Sequence, residues 1–247
     1  MKQYHLSTIG TFHTNHNEDY LAIYELGKEQ LLTAVMDGCS MGKDSYFIAT
    51  LIGKILRKIA KVTSYQSFIN KEQTPMEGSK LLKIVTQKLF LELKNIQNTL
   101  LLARTEMLST LILGIIHPKE KSGDILTIGD GLISYNGKYI EYEQNNQPDY
   151  LGYHLGTNFE NWYVAQKQRL HLTQLETLSI ATDGIFTFRK FDNSPTEIVE
   201  EEEILDFLLN DTTYQEQENM LFKKVLLIEK NWGLKPTDDL SIIRLIF

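Results

Sequence analysis

The sequence predicts an α+β fold in which two mostly antiparallel sheets are each covered on the outside by a pair of helices. Two observations carry this. Strand-sized apolar runs and long amphipathic stretches fall in separate blocks, in the order strands, two helices, strands, two helices, strand. A parallel sheet would instead need strands and helices to alternate. Two helix pairs over two sheets also use every apolar face.

Taken in order, YHLSTIG (4–10), DYLAIYEL (19–26) and EQLLTAVMD (29–37) are strand-sized, with ELGKEQ as a hairpin turn between the last two. From about residue 44 to 62 the period changes. Phe47, Ile48, Leu51, Ile52, Ile55, Leu56 and Ile59 recur at helical spacing, with basic residues mostly opposite. TSYQSFINKEQTPMEGS (63–79) reads as a polar connection. A second helix is expected from Lys80 to Leu102. MLSTLILGIIH, GDILTIGD, LISY and KYIEYE then read as a meander, with Asn136-Gly137 as its hairpin turn. NWYVAQKQRL (161–170) and TLSIATD (177–183) add strands, TEIVEEEEILDFLLN and QENMLFKKVLLIEKNW add helices, and DLSIIRLIF closes as a strand. The long polar loop 143–160 is the connection expected to have its own role. There is no internal repeat or linker, so residues 1–247 are expected to form one domain.

Composition narrows the function. A net charge of −7 argues against a nucleic-acid partner, which requires a basic stripe. No apolar run approaches the ~20 residues that span a bilayer, and the first residues lack the pattern of a signal peptide. The single cysteine, Cys39, excludes an internal disulfide and fits a reducing compartment. A cytoplasmic monomer that neither enters membranes nor binds nucleic acid is the expectation. Cys39 reads as a small structural residue rather than a reactive thiol, Glu200 to Glu203 as a solvated helix face, and Trp162 and Trp232 as core or rim.

Acids stand where strands end. Asp37 follows LLTAVM and precedes Gly38. Asp130 follows ILTIG and precedes Gly131. Asp183 follows TLSIAT and precedes Gly184. Asp238 precedes the last strand, and Glu18-Asp19 precede the second. A single Asp-Gly is an ordinary turn dipeptide. Three of them on strand ends, with further acids at strand starts, point to convergence. Carboxylates ~4 Å apart repel by roughly 4 kcal/mol at an effective dielectric near 20, a cost that a divalent cation removes. All-oxygen ligands select Mg²⁺ or Mn²⁺ over zinc. A glycine after Asp37 lets the Gly38 carbonyl approach such an ion.

NEDY (17–20), AVMDGCSMGKDS (34–45), STLILGII (109–116), LTIGDG (126–131), IATDG (180–184) and DDLSII (238–243) together resemble the metal-dependent Ser/Thr protein phosphatases of the PP2C (PPM) family, in a divergent bacterial-type branch. The resemblance runs in the family's order along nearly the whole chain. It implies a four-layer αββα sandwich, two core Mg²⁺ or Mn²⁺ ions with room for a third, and a phosphoprotein substrate in signalling. Asp37 would bridge both core metals and the Gly38 carbonyl would bind one. Asp183 and Asp238 would hold the other, Glu18 and Asp19 would act at or just outside the metals through water, and Asp130 would serve the third. The nucleophile it implies is a hydroxide bridging two metals. The family's phosphate-gripping arginine is replaced by Thr14, leaving His13 or His16 as substitute donors against the reading of ordinary solvated loop histidines. Lys43 is a further cation near the altered loop 39–45, and Asp239 stands where the family has asparagine.

Other chemistries fit less well. A haloacid-dehalogenase-type phosphatase needs a second Asp two residues after its nucleophile, where Asp37 has Cys39 and Asp183 has Ile185. No G-x-S-x-G elbow is present for a serine hydrolase. The alternative from another class is a catalytically weak or inactive pseudophosphatase that binds phosphoproteins as a scaffold, favoured by the missing arginine and opposed by the retained acids.

Overall fold

A computed structural model describes residues 1–70, 74–143, 148–191 and 199–247. One antiparallel sheet orders β1 (Lys2–Thr8), β12 (Leu240–Ile246), β9 (Thr177–Ala181), β6 (Gly131–Tyr135) and β7 (Lys138–Tyr142). The other orders β2 (Asp19–Leu26), β3 (Gln30–Asp37), β4 (Leu111–His117), β5 (Ser122–Ile128) and β8 (Arg169–Leu172). A short ribbon pairs β10 (Phe188–Lys190) with β11 (Leu234–Pro236). Helices α1 (Ser45–Ile69) and α2 (Gly78–Leu100) cover the second sheet, while α4 (Glu201–Leu209) and α5 (Met220–Leu227) cover the first. Helix α3 (Phe159–Ala165) packs beside α2.

The strands are apolar on both faces because both faces are buried. On β3, Leu32, Ala34 and Met36 face the helices, while Leu31 and Val35 face the other sheet. On β12, Leu240 and Ile242 face α4 and α5, while Ile243 and Leu245 face β3 and its neighbours. Period-2 alternation therefore sorts apolar residues between two cores. No helix is long and apolar enough to cross a membrane among the described residues.

The structure corrects four expectations. Helix α1 runs on to Ile69 through residues read as a polar connection. No Gly or Pro falls between Thr63 and Ile69, and Ser64 Oγ bonds the Gly27 amide at 2.9 Å, so its last turns pack on the polar β2–β3 turn. The run from Asn161 is helical to Ala165 before β8 begins. Its aromatic residues resemble a strand, but Phe159, Trp162 and Tyr163 lie at helical spacing, and Asn158 caps the helix by accepting the Asn161 amide at 3.1 Å. The expected meander splits: β4–β5 lies in one sheet and β6–β7 in the other. The chain crosses at Gly129-Asp130-Gly131, where both glycines have positive φ, 91° and 128°, a backbone that side chains resist. The β10–β11 ribbon was not foreseen. Residues 196–198 of the third expected helix and 144–147 of the long loop lie outside the described residues.

The segment between β11 and β12 meets the turn after β9 so closely that a Cβ on Gly184 would lie 1.8 Å from the Asp239 carbonyl oxygen. Gly184→Ala is therefore expected to cost roughly 1–3 kcal/mol. At ~2–4 °C per kcal/mol for a domain of this size, thermal melting should show a clear drop. An unchanged melting temperature would contradict this packing.

Candidate active site

Several strand ends meet at one edge of the sandwich. β3 ends on Asp37, whose register partner is Asp19, the first residue of β2. After β9, Asp183 opens a 3₁₀ turn, Asp183–Phe186. The ribbon delivers Asp238 and Asp239 to the start of β12, and the crossover between sheets carries Asp130.

The acids feel one another. Burial holds the Asp37 carboxyl well above the usual carboxylate range, and the charges of Asp183, Asp19, Asp238 and Asp130 push it further. Asp19 is likewise raised by burial; Thr182 Oγ1, donating to its Oδ2 at 2.6 Å, opposes the rise. Asp183 is pushed up to about 7 by burial and by Asp130 and Asp238, against the pull of its own amide and that of Gly184. Burial also raises Asp130 and Asp238. Five carboxylates on five connections thus share one field.

Hydrogen bonds fix the frame around them. Asp239, 2% exposed, accepts the Gly10 amide at 2.7 Å and the Glu18 amide at 2.5 Å. Glu18 in turn accepts Ser40 Oγ at 2.7 Å and Ser45 Oγ at 2.5 Å. Asn17 Oδ1 accepts the Asp19 amide at 2.9 Å. Gly38 is required by packing as well as by any ligand role, since a Cβ there would lie 2.1 Å from the Ser45 carbonyl oxygen. Asp239 is the residue that sequence reasoning left out of the site. Its only signal was the doubled acid before β12, and nothing local shows that its carboxylate reaches back to residues 10 and 18.

The residues expected to grip phosphate lie on the loop before β2. Thr14 is exposed. His13 points into the acids: its Nδ1 lies 2.9 Å from Asp239 Oδ2 and its Nε2 3.7 Å from Asp238 Oδ1. Burial works against its charge, yet Asp239, Asp238 and Glu18 outweigh that and raise its pKa. His16 stacks on Tyr46, with ring centroids 4.2 Å apart. Lys43 is exposed at the start of α1. Cys39 is buried with Leu108 and Tyr150, which seats the described part of the 143–160 loop against residues 107–109. The Leu151 amide adds a bond to the Ser109 carbonyl at 2.9 Å. Beside Asp130 and Asp183 lies a cleft of about 250 Å³, also lined by Glu141, Tyr142, Phe186 and Glu201.

The donor set suits a hard divalent cation. It consists of oxygens, and Asp19 Oδ1 is buried without a hydrogen-bond partner among the described residues, an uncompensated acceptor of the kind a cation or its water satisfies. Among the described residues no three His, Cys, Asp or Glu side chains already form a closed cage.

The profile of the family described as Protein phosphatase 2C matches residues 10–221. The chain belongs to that family. No curated protein matches it in sequence. Its fold is similar to that of the serine/threonine phosphatase Stp1 from Staphylococcus aureus, with a TM-score of 0.63 at 14% identity over 99% of this chain and 94% of that one. It is also similar to the PP2C domain of SiaA from Pseudomonas aeruginosa, with 0.59 at 12% over 99% and 85%. With the structure of the phosphatase domain and a regulatory-domain fragment of SpoIIE from Bacillus subtilis, the score is 0.56 at 18% over 98% and 62%.

The raised carboxyls give a pH signature in chelator. The folded chain keeps protons that the unfolded chain releases, so deprotonation favours unfolding. The stabilising contribution is complete below pH ~4 and is lost as pH climbs through the folded values, reaching about 7 for Asp183. Melting temperature in EDTA is therefore expected to fall between pH ~4 and 7, and Asp183→Asn should flatten the upper part of that slope. A melting temperature that rises across this window would contradict the shared field.

Proposed function

We propose that residues 1–247 act as a single metal-dependent phosphatase domain that removes phosphate from phosphoserine or phosphothreonine in proteins. One observation carries this reading: Asp37, Asp19, Asp183, Asp238 and Asp130 come from separate parts of the chain to one edge of the sandwich, where burial raises each carboxyl's pKa and the neighbouring acids raise those of Asp37, Asp19 and Asp183 further. Family membership and a fold shared with bacterial serine phosphatases support it. Asp37, the Gly38 carbonyl, Asp183 and Asp238 would hold two Mg²⁺ or Mn²⁺ ions, and Asp130 a third. When bound, such ions supply Lewis acidity that makes water a nucleophile near neutral pH and takes up charge on the phosphoryl oxygens.

The chain's own residues prepare that site. Asp239 ties the loop at residues 10–18 to the start of β12, Ser40 and Ser45 orient Glu18, and Thr182 orients Asp19. No side chain is needed as nucleophile. With Thr14 exposed and His13 turned onto Asp239, substrate phosphate relies mainly on the cations for its grip, which predicts weak binding and slow turnover. The domain works as a cytoplasmic monomer on a phosphoprotein. In the scaffold alternative the same cluster binds without turnover.

Hydrolysis of a small aryl phosphate is expected with Mn²⁺ or Mg²⁺, and is expected to be lost with chelator and in Asp37→Asn. Saturating Mn²⁺ should also raise the melting temperature by several degrees. At ~100 times Kd each site gives roughly 2.7 kcal/mol, at ~2–4 °C per kcal/mol. Asp37→Asn should blunt that rise while stabilising the chelated form, since it removes one like charge. A metal response without hydrolysis would favour the scaffold reading; melting indifferent to millimolar Mn²⁺ would reject the site.

Restoring the grip gives a separate expectation. Thr14→Arg should lower KM for a phosphopeptide more than it raises kcat, because the gain is mainly ground-state phosphate binding. Steady-state kinetics decide. An unchanged KM would mean that another group already holds the phosphate.

A further inference from the structure

Phe12 and Met41 are 78% and 88% exposed, and each adjoins a residue that contacts Asp239 or Glu18. A series of contacts fixes their places. Phe12 precedes His13, whose Nδ1 lies 2.9 Å from Asp239 Oδ2. That oxygen accepts the Glu18 amide at 2.5 Å, and Glu18 Oε2 accepts Ser40 Oγ at 2.7 Å, immediately before Met41. Ser45, bonded to the other Glu18 oxygen at 2.5 Å, precedes Tyr46, on which His16 stacks. Both loops are tied down: the Phe12 amide donates to the Thr237 carbonyl at 2.9 Å and the Gly42 amide to the Cys39 carbonyl at 2.7 Å. Single exposed apolar residues are ordinary. Here they stand on two tethered loops that Asp239 and Glu18 tie together, with an aromatic pair on the same two segments.

We propose that Phe12 and Met41, flanked by the His16–Tyr46 pair, form a subsite for apolar side chains next to the phosphorylated residue of a protein substrate. This rests on the phosphatase reading and specifies its substrate class. The occupant follows from position. A chain that brings a phosphate ester to the acids must lay its neighbouring residues across this rim, and apolar neighbours are the ones that gain by burial there. Acidic neighbours would instead meet the field of Glu18, Asp238 and Asp239. The rim contacts residues flanking the ester rather than the ester itself, so it sets selectivity.

The test uses the full chain with Mn²⁺ and two fluorescein-labelled peptides carrying a non-hydrolysable phosphonate analogue of phosphoserine. One has leucine on both sides of that residue, the other serine, and anisotropy reads binding. The corresponding phosphoserine peptides report phosphate release. The leucine-flanked peptide is expected to bind roughly tenfold more tightly, and the double variant Phe12→Ser, Met41→Ser should lose that preference with its melting temperature unchanged. Equal affinities in the unmodified chain, or a preference that survives the double substitution, would overturn the subsite. Hydrolysis of both phosphopeptides without preference would do the same and leave the phosphatase reading intact. A rim-dependent preference without phosphate release would overturn the catalytic reading and keep the subsite. Failure to bind either peptide would overturn both.

Discussion

Repulsion among carboxylates at the shared edge of the two sheets is the constraint around which this end of the molecule is arranged. Asp37 and Asp19 face each other across a hairpin ladder, and Asp183, Asp238 and Asp130 add their charges from other connections. Each pair opposes folding, so the backbone around them must be held by something stronger than its own preferences. The buried Asp239 carboxylate does much of this by accepting amides from Gly10 and Glu18, bonds to a charged acceptor that are stronger than neutral ones. Thr182, Ser40 and Ser45 restrain individual acids in the same way. A hard cation would turn the same charges from a cost into a ligand set.

The acids themselves were legible in the sequence because each ends or begins a run of apolar residues, and the ends of strands are rigid. The pairing of Asp19 with Asp37 follows from the short β2–β3 turn, which fixes the register. What was not legible depends on contacts distant in sequence. Asp239 bonds residues more than two hundred positions away, and a doubled acid before a strand does not say which of the two turns inward. The change of sheet at Gly129-Asp130-Gly131 looks like any glycine turn until the strand order is known. Helix α1 was expected to end too early because its last turns pack on polar backbone rather than on the apolar core, so its amphipathic period fades before its hydrogen bonds do.

His13 illustrates how electrostatics can redirect a residue. As a loop histidine near the acids it was a candidate to hold substrate phosphate. In the folded chain both ring nitrogens face carboxylates, Asp239 and Asp238, so its charge serves the cluster first. Thr14, in the same loop, is exposed. The relatives of known structure are at 12–18% identity and speak for the fold alone. The chemistry therefore has to be read from this chain's own acids and the bonds that orient them.

The apolar layer between the sheets explains why the acids converge at the sheet ends. Facing sheets lie about 10 Å apart, and here the gap is filled by Leu31, Val35, Ile112 and Ile116 on one side and Ile133, Ile180, Ile243 and Leu245 on the other. Within that layer a carboxylate has neither water nor a partner. At the edge the strands give way to loops, the filling stops, and side chains from both sheets can reach the same water. Asp37 comes from one sheet and Asp183 from the other, so the thickness of an apolar layer sets how far apart their strand ends stand. Asp130 lies on the segment that crosses that layer, between two glycines that let the backbone turn, and opens onto the neighbouring cleft. Its position is therefore a consequence of the same topology that brings Asp37 and Asp183 together.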